Sequence, residues 1–218
     1  MEVNGFMSIL SQLSSQCGDR TEQSNIKVAF QCLDEPELLK EIQPGLHMED
    51  VFIAGDCAEV MTKVAEERPE LILPYAEDLI ETLNHKKARV RWESIHAIAF
   101  IADRIPDKIG PRLELLDRLV HEDKSVIVRH YGILTLGQYA AAGKEASRRA
   151  FPYLERALLA HPHKFAHHAM DGLRQVAFYC PDTREKIKEM AGQFLSHPRA
   201  GVRNAAKKLM NSLEKDSY

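Results

Sequence analysis

Histidine, tryptophan and acidic side chains in the middle of the chain are the residues best suited to form a chemical or binding site. The sequence holds ten histidines and a single tryptophan, Trp92. His167 and Asp171 are four residues apart, so on a helix they share one face, beside His168. With His130 from another helix, they offer the donor types that a divalent metal accepts. Because the chain has no CxxC and no HExxH motif, we predict neither a metal site nor any other cofactor.

Sequence motifs of known enzyme classes are otherwise absent. The chain has no GxGxxG, GxxxxGK[ST] or GxSxG motif, and none of its four cysteines has the sequence context of a nucleophile. We therefore predict no catalytic residues and expect a protein that is not an enzyme. Isolated cysteines are typical of a reducing compartment, and the first residues lack the pattern of a secretory signal. Both observations indicate a cytoplasmic protein.

Composition indicates a folded protein, and the charge is unevenly distributed. The 218 residues are 44% hydrophobic and 28% charged, and the longest apolar stretch is too short to cross a membrane. The formal net charge is −3. Residues 1–109 carry 11 basic and 20 acidic side chains, whereas residues 110–218 carry 18 and 12. The balances of −9 and +6 indicate a partner of complementary charge, and the net acidity disfavours nucleic acid.

An internal repeat of 37 to 38 residues positions these side chains. The segment VAEERPELI at 64–72 matches IADRIPDKI at 101–109 at a spacing of 37 residues. The segment VRWESIHAIA at 90–99 matches VRHYGILTLG at 128–137 at a spacing of 38, and VRNAAKKLMN at 202–211 is a third copy. Degenerate copies begin at Ile53 and Phe165. Repeats of this length are typical of helical arrays.

Each copy has the periodicity of an amphipathic helix. Apolar or small residues recur at offsets 0, 4, 7, 8 and 11 from its first residue, which places them in one stripe about 100° wide. The side chains at offset 4 are small, so another helix can approach closely there. These residues are Cys57, Ser94, Gly132, Ala169 and Ala206.

Prolines mark a second, shorter helix before each long one. One column of prolines is predicted to open the short helix, as is typical of a first helical turn. Its members are Pro36, Pro74, Pro111 and Pro152. A second column, formed by Pro69, Pro106 and Pro181, is predicted to close the long helix. The repeating unit is therefore a short helix, a turn, a longer helix and a turn marked by proline.

Units of this kind, whose second helix begins V-R-x-x-small-x-x-A-L-G, resemble the HEAT-repeat family. The match is strongest at Val90-Arg91, Val128-Arg129 and Val202-Arg203, and it covers roughly residues 36–213; Ala54 and Ala166 stand where the arginine is expected. The resemblance implies an all-α fold, a right-handed α-α superhelix of about five helical hairpins. We expect one continuous solenoid domain with a frayed tail and an irregular cap of two helices, over residues 5–16 and 25–33. The expected segments are 1–34 for the cap, 35–72, 73–109, 110–150, 151–187 and 188–213 for the repeats, and 214–218 for the tail.

The recurring arginines and most histidines are expected to be structural. In this motif, arginine near the helix start pairs with an acid or a carbonyl of the adjacent turn, as Asp123 could for Arg129. Five histidines fall in the turn between the two helices of a repeat, where helix spacing keeps them too far apart to share one metal ion. They are His47, His85, His121, His161 and His197.

In HEAT-like stacks the second helices line the concave surface, so the resemblance places the face opposite the core stripe in a groove. The candidate binding residues on or beside this face are Trp92, His96, His130, Tyr131, His167, His168, Asp171, Arg174, Asn204 and Lys208. The groove is predicted to run from acidic (Glu59, Glu66) to basic (Lys208, Lys215). Aromatic residues at its centre have the composition of an interaction hot spot; the alternative is packing against the neighbouring helix.

The function that fits these expectations is a non-enzymatic scaffold that binds a protein or peptide in its groove. The alternative is a nucleic-acid-binding protein or an enzyme that resembles the DNA-alkylation-repair glycosylases. Some DNA-alkylation-repair glycosylases are similar in being built wholly from HEAT-like repeats, and Trp92, Asp171 and Arg174 could serve such a role, together with the basic Arg203, Lys207 and Lys208. A third possibility is a helper for a cofactor-bearing protein, as some HEAT-like proteins are, and nothing in the residues supports it beyond the resemblance in fold. The oligomeric state stays open.

Overall fold

The computed structural model describes residues 8–215, and these residues form helices and turns with no strand. The α-helices are α1 (Gln23–Asp34), α2 (Leu39–Gly45), α3 (Val51–Glu67), α4 (Ala76–Glu81), α5 (Ala88–Ala99), α6 (Pro106–Ile109), α7 (Leu113–Glu122), α8 (Val126–Ala141), α9 (Lys144–Ala160), α10 (Ala166–Tyr179), α11 (Arg184–Gly192) and α12 (Ala200–Lys215). Short 3₁₀ turns lie at Ile9–Gln12, Pro36–Leu38, Pro69–Leu71, Leu73–Tyr75, Thr82–Asn84, Gly110–Arg112 and Pro181–Thr183. The predicted all-α fold of paired helices is confirmed.

The chain comprises two compact units, which we call unit 1 (Met1–Ile101) and unit 2 (Ala102–Tyr218). Unit 1 contains α1 to α5, and α3 packs against both α1 and α5. Unit 2 contains α6 to α12, and α10 packs against α8, α9 and α12. In each unit, a long helix with long neighbours on both sides therefore forms the centre of the packing.

The core consists of the side chains that the repeat places in the apolar stripe. All five residues at offset 4 are buried, and so are all five at offset 11. The exceptions in the stripe are Ile53 and Met210, which are half-buried near the ends of their helices. The predicted helical register is thus the one that the structure has.

The second proline column behaves as predicted, whereas Pro152 does not. Pro69, Pro106 and Pro181 each begin a short helical segment after a long helix, where the missing N–H is not needed. Pro152 lies inside α9, so the prediction that it opens a helix is wrong. Gly143, with φ of 137°, precedes α9. Glycine reaches that conformation without a Cβ penalty, so the chain can change direction at Gly143. As a result, α9 starts at Lys144, eight residues before the proline.

The start of the chain is less helical than predicted. A helix was expected over residues 5–16, but the described part forms only a 3₁₀ turn at Ile9–Gln12, because Asn25 Oδ1 accepts a hydrogen bond from Ser14 N at 2.9 Å and draws this segment onto α1. The second cap helix is confirmed as α1. Residues 1–7 lie outside the described range, as does the predicted frayed tail beyond Lys215, where α12 ends.

One local motif occurs once in each unit, formed by Arg91 with His85 and by Arg203 with His197. Arg91 Nη1 donates to His85 O at 2.7 Å, and Arg203 Nη1 donates to His197 O at 2.7 Å. In both turns the histidine Nδ1 accepts a hydrogen bond at 3.1 Å from the amide two residues further on. These four side chains fasten the turn to the start of the following helix, which is the structural role expected for them. Arg129 differs, because its Nε is buried without a hydrogen-bond partner among the described residues.

Among residues 8–215, no helix combines the length and the apolar character that crossing a membrane requires.

Candidate functional site

Eight of the ten predicted binding residues lie on three neighbouring helices of unit 2. We call these residues the unit 2 face: His130 and Tyr131 on α8, His167, His168, Asp171 and Arg174 on α10, and Asn204 and Lys208 on α12. Because α10 packs against both α8 and α12, the three groups are adjacent. Asn204 and Lys208 are exposed, and the other six side chains are half-buried.

Two glycines bring α8 and α10 close together beneath this face. A Cβ atom added to Gly172 would lie 3.0 Å from Gly137 Cα, and one added to Gly137 would lie 3.2 Å from Gly172 Cα. Either position therefore tolerates no larger residue without displacement of a backbone. The close approach leaves a groove of about 170 Å³. Its lining residues are Leu134, Gly137, Gln138, His168, Asp171, Gly172, Arg174 and Gln175.

Aromatic rings stack around His130 at one end of the face. The ring centroids of His130 and Tyr131 are 4.8 Å apart, those of His130 and Phe165 are 5.8 Å apart with nearly parallel planes, and those of His130 and His168 are 4.3 Å apart. Burial, followed by the nearby His167, lowers the pKa of His130, and the same causes together with His130 lower the pKa of His168 to about 4. Both rings are therefore uncharged at neutral pH.

The other end of the face is charged. Lys208 Nζ lies 3.5 Å from Asp171 Oδ1, which links α12 to α10. Within the described residues, neither Arg174 Nε nor His130 Nε2 has a hydrogen-bond partner, although both atoms are buried. Leaving a buried polar group unpaired costs about 1–3 kcal/mol. Arg129 Nε and Thr135 Oγ1, which lie outside the unit 2 face, are buried and without a partner in the same way, so this feature is not confined to the face.

The geometry does not form a metal centre. Within residues 8–215, no group of three or more His, Cys, Asp or Glu side chains is arranged to hold a metal ion. His163 Nδ1 and His197 Nε2 are 2.7 Å apart, which is the distance of a hydrogen bond between the two rings. The unit 2 face presents aromatic rings, polar atoms and charged side chains.

Trp92 and His96 belong to unit 1, so the unit 2 face is built without them. Both lie on α5 and are half-buried. Trp92 Nε1 donates to Glu93 Oε1 at 2.5 Å, and the His96 ring lies 5.1 Å from the Phe100 ring. Burial raises the pKa of Glu93, and this effect outweighs the hydrogen bond from Trp92, which lowers it.

The prediction that Glu59 lies on an open groove face is wrong, although with Asp56 and Arg89 it lines a cavity of about 430 Å³ in unit 1. Glu59 is 6% exposed and Asp56 is 1% exposed, because α1 and α5 cover α3 from both sides. Arg89 Nη2 donates to Asp56 Oδ1 and to Glu59 Oε2, both at 2.7 Å. Asn25 Nδ2 donates to the same two oxygens at 2.9 and 2.7 Å. Glu66, the other predicted acidic groove residue, is exposed.

This buried network holds unit 1 together. Asp56 Oδ2 also accepts from Ser15 N at 2.8 Å, so one carboxylate contacts the first turn region, α1 and α5. Burial raises the pKa of Asp56. The hydrogen bonds from Ser15 and Asn25 and the charge of Arg89 lower it, and because together they outweigh burial, the pKa lies below its ordinary value. The sequence contains one signal for the network: two acids, three residues apart, among the otherwise apolar or small residues 51–61 of α3.

Comparison with known proteins connects the chain to a fold and to no family. No family model matches the sequence, and no curated protein matches it. A designed armadillo-repeat protein in complex with the peptide (KR)4 has a TM-score of 0.74 at 16% identity, over 94% of this chain and 98% of that one. An engineered protein has a TM-score of 0.74 at 17% identity, over 98% and 100%. These likenesses show that the chain has the fold of an all-helical repeat solenoid.

Proposed function

We propose that the chain is a non-catalytic, HEAT-like scaffold of the cytoplasm that binds a protein or peptide partner on the unit 2 face. The observation that carries the proposal is the combination found there. Uncharged stacked rings surround His130, exposed charge lies at Lys208, and two buried polar atoms lack partners. Aromatic and arginine side chains together are the usual composition of binding hot spots.

The charge of unit 2 indicates what the partner carries. Residues 102–218 contain 20 basic and 14 acidic side chains, a balance of +6. Complementary charge directs association and selects partners, so the bound segment is expected to carry carboxylates. That a designed armadillo-repeat protein with this fold is found in complex with a peptide supports a peptide as the ligand class.

Selection from a displayed peptide library tests this proposal. Immobilised protein is used at physiological salt, and the affinity of a selected peptide is then measured by fluorescence anisotropy. Arg174→Ala and His167→Ala are expected to weaken binding at least about tenfold. Arg148→Ala is the matched control, because this exposed arginine lies on α9 in the same unit and pairs with Asp182. Equal losses in face and control variants would contradict the proposal, as would a library that yields no binder.

Nucleic acid is the second candidate, favoured by the balance of +6 and by rings on which bases could stack. Labelled duplex and single-stranded DNA, titrated from low to physiological salt, distinguish the two candidates. Affinity that falls steeply with salt and is lost in Lys208→Ala would establish nucleic acid as the ligand. If neither DNA binds at low salt, the nucleic-acid candidate is wrong.

A further inference from the structure

Unit 1 carries an apolar groove between α1 and α3. Ile26, Phe30 and Leu33 follow one another at helical spacing along α1, with Ala29 buried beneath them. The Phe30 side chain is 59% exposed, and Ile26 and Leu33 are half-buried. The groove has a volume of about 60 Å³, far below the several hundred Å³ of small-molecule sites. Its size therefore suits one or two apolar side chains of another protein.

The α3 side of this groove is acidic. Lys63, Glu66 and Glu67 line it, and both glutamates are exposed. The single cation among them is already engaged, since Lys63 Nζ lies 3.6 Å from Glu22 Oε2. The rim next to Phe30 thus presents net negative charge.

The wider surroundings add to this charge. Residues 1–101 contain 9 basic and 18 acidic side chains, a balance of −9. Arg68 donates to Leu33 O at 3.4 Å at the end of the groove, but it also forms an ion pair of 3.0 Å with Glu70. A cationic partner would therefore meet a favourable field over this part of unit 1.

We infer that this groove docks an amphipathic helix that places a large apolar side chain against Phe30 and lysine or arginine side chains beside Glu66 and Glu67. A helix suits the site because apolar anchors at helical spacing fill grooves between helices. Charge complementarity selects its basic flank. The groove shares no residue with the unit 2 face, so this inference goes beyond the proposed function and stands or falls separately.

The probe is a fluorescein-labelled helical peptide of about 18 residues, with leucines along one face and lysines along both flanks. Its control is the same peptide with glutamate in place of every lysine. The lysine peptide is expected to bind and the glutamate peptide not to bind, as measured by anisotropy. No binding of the lysine peptide at low salt, or equal binding of both peptides, would overturn the inference.

Variants of the groove locate the binding. Phe30→Ala is expected to weaken binding of the lysine peptide about tenfold. Leu159→Ala is the control, since Leu159 on α9 is 58% exposed and lies in the other unit; its effect is expected to stay within about twofold. The double change Glu66→Lys/Glu67→Lys is expected to reverse the preference toward the glutamate peptide.

Two further results would overturn the inference. The first is binding that Phe30→Ala and Leu159→Ala weaken equally, because the peptide would then lie elsewhere. The second comes from sedimentation of the chain alone. Salt-sensitive self-association that Phe30→Ala abolishes would identify a second copy, with its basic unit 2, as the occupant of the groove.

Discussion

Removal of the Arg89 guanidinium is expected to destabilise unit 1 strongly. In Arg89→Met the apolar stem is kept, but the donor at 2.7 Å from both Asp56 and Glu59 is lost. The two carboxylate side chains are only 1% and 7% exposed, so the substitution leaves two largely buried carboxylates without a counter-charge. Breaking a buried ion pair by removing one partner costs about 3–5 kcal/mol. Because the Arg89 side chain is 34% exposed, solvent screening places the expected loss near about 3 kcal/mol.

Urea unfolding followed by tryptophan fluorescence measures this loss. Trp92 is the only tryptophan and lies on α5, so its signal reports on unit 1. Arg68→Met is the matched control, since Arg68 is 48% exposed and pairs with Glu70, and a loss below about 1 kcal/mol is expected there.

A double variant tests the cause. Adding Glu59→Gln to Arg89→Met removes one of the stranded buried charges, and it is expected to restore about 1 kcal/mol or more. If Arg89→Met costs no more than Arg68→Met, or if Glu59→Gln deepens the loss, the electrostatic account of unit 1 is refuted.

Two further predictions concern unit 2. The pKa of His168 in the folded chain is about 4, below its ordinary value of 6.5. The unfolded chain therefore binds more protons, and the free energy of unfolding falls as the pH is lowered from about 6.5 toward 4. Between pH 7 and pH 5 the wild type should lose about 1–2 kcal/mol more than His168→Phe, as measured by urea unfolding followed by circular dichroism. An equal pH dependence in both proteins would contradict this. Gly172→Ala is expected to cost about 1–3 kcal/mol, because its Cβ would lie 3.0 Å from Gly137 Cα. Gly201→Ala, which meets nothing within 4 Å, should be neutral or stabilise by up to about 1 kcal/mol, and similar losses in both variants would show that the contact is unimportant.

The fold could be predicted because five copies of the repeat have similar residue types at the same positions. Each column of small or apolar residues reports the same packing position, so local irregularities such as Ala54 in place of arginine leave the register unchanged. Pro152 was predicted to open a helix because it shares a repeat position with Pro36, Pro74 and Pro111, which do lie at the start of helical segments. The other column contains Gly143 between Pro106 and Pro181 at the same spacing, and glycine adopts the positive φ found at the break between α8 and α9 without a Cβ penalty.

For the candidate site, the sequence predicts which face of its helix each residue occupies, but not which residues of other helices it contacts. Offsets within one helix placed His130, Asp171 and Lys208 on the same side, and the structure has them on adjacent helices. A prediction from periodicity assumes that only the apolar stripe of a helix packs against other helices. Glu59 lies outside that stripe and was therefore assigned to an open face. Its burial depends on Asn25 and Arg89 from two other helices, and the residue pattern of one helix does not identify partners on other helices.

Amide NMR spectra of the labelled chain, recorded with and without a selected peptide, test the central claim most directly. Binding on the unit 2 face predicts that the largest shift changes fall in residues 126–141, 166–179 and 200–215, and that Arg174→Ala removes them. Shift changes confined to other parts of the chain, or changes that persist in Arg174→Ala, would contradict the claim.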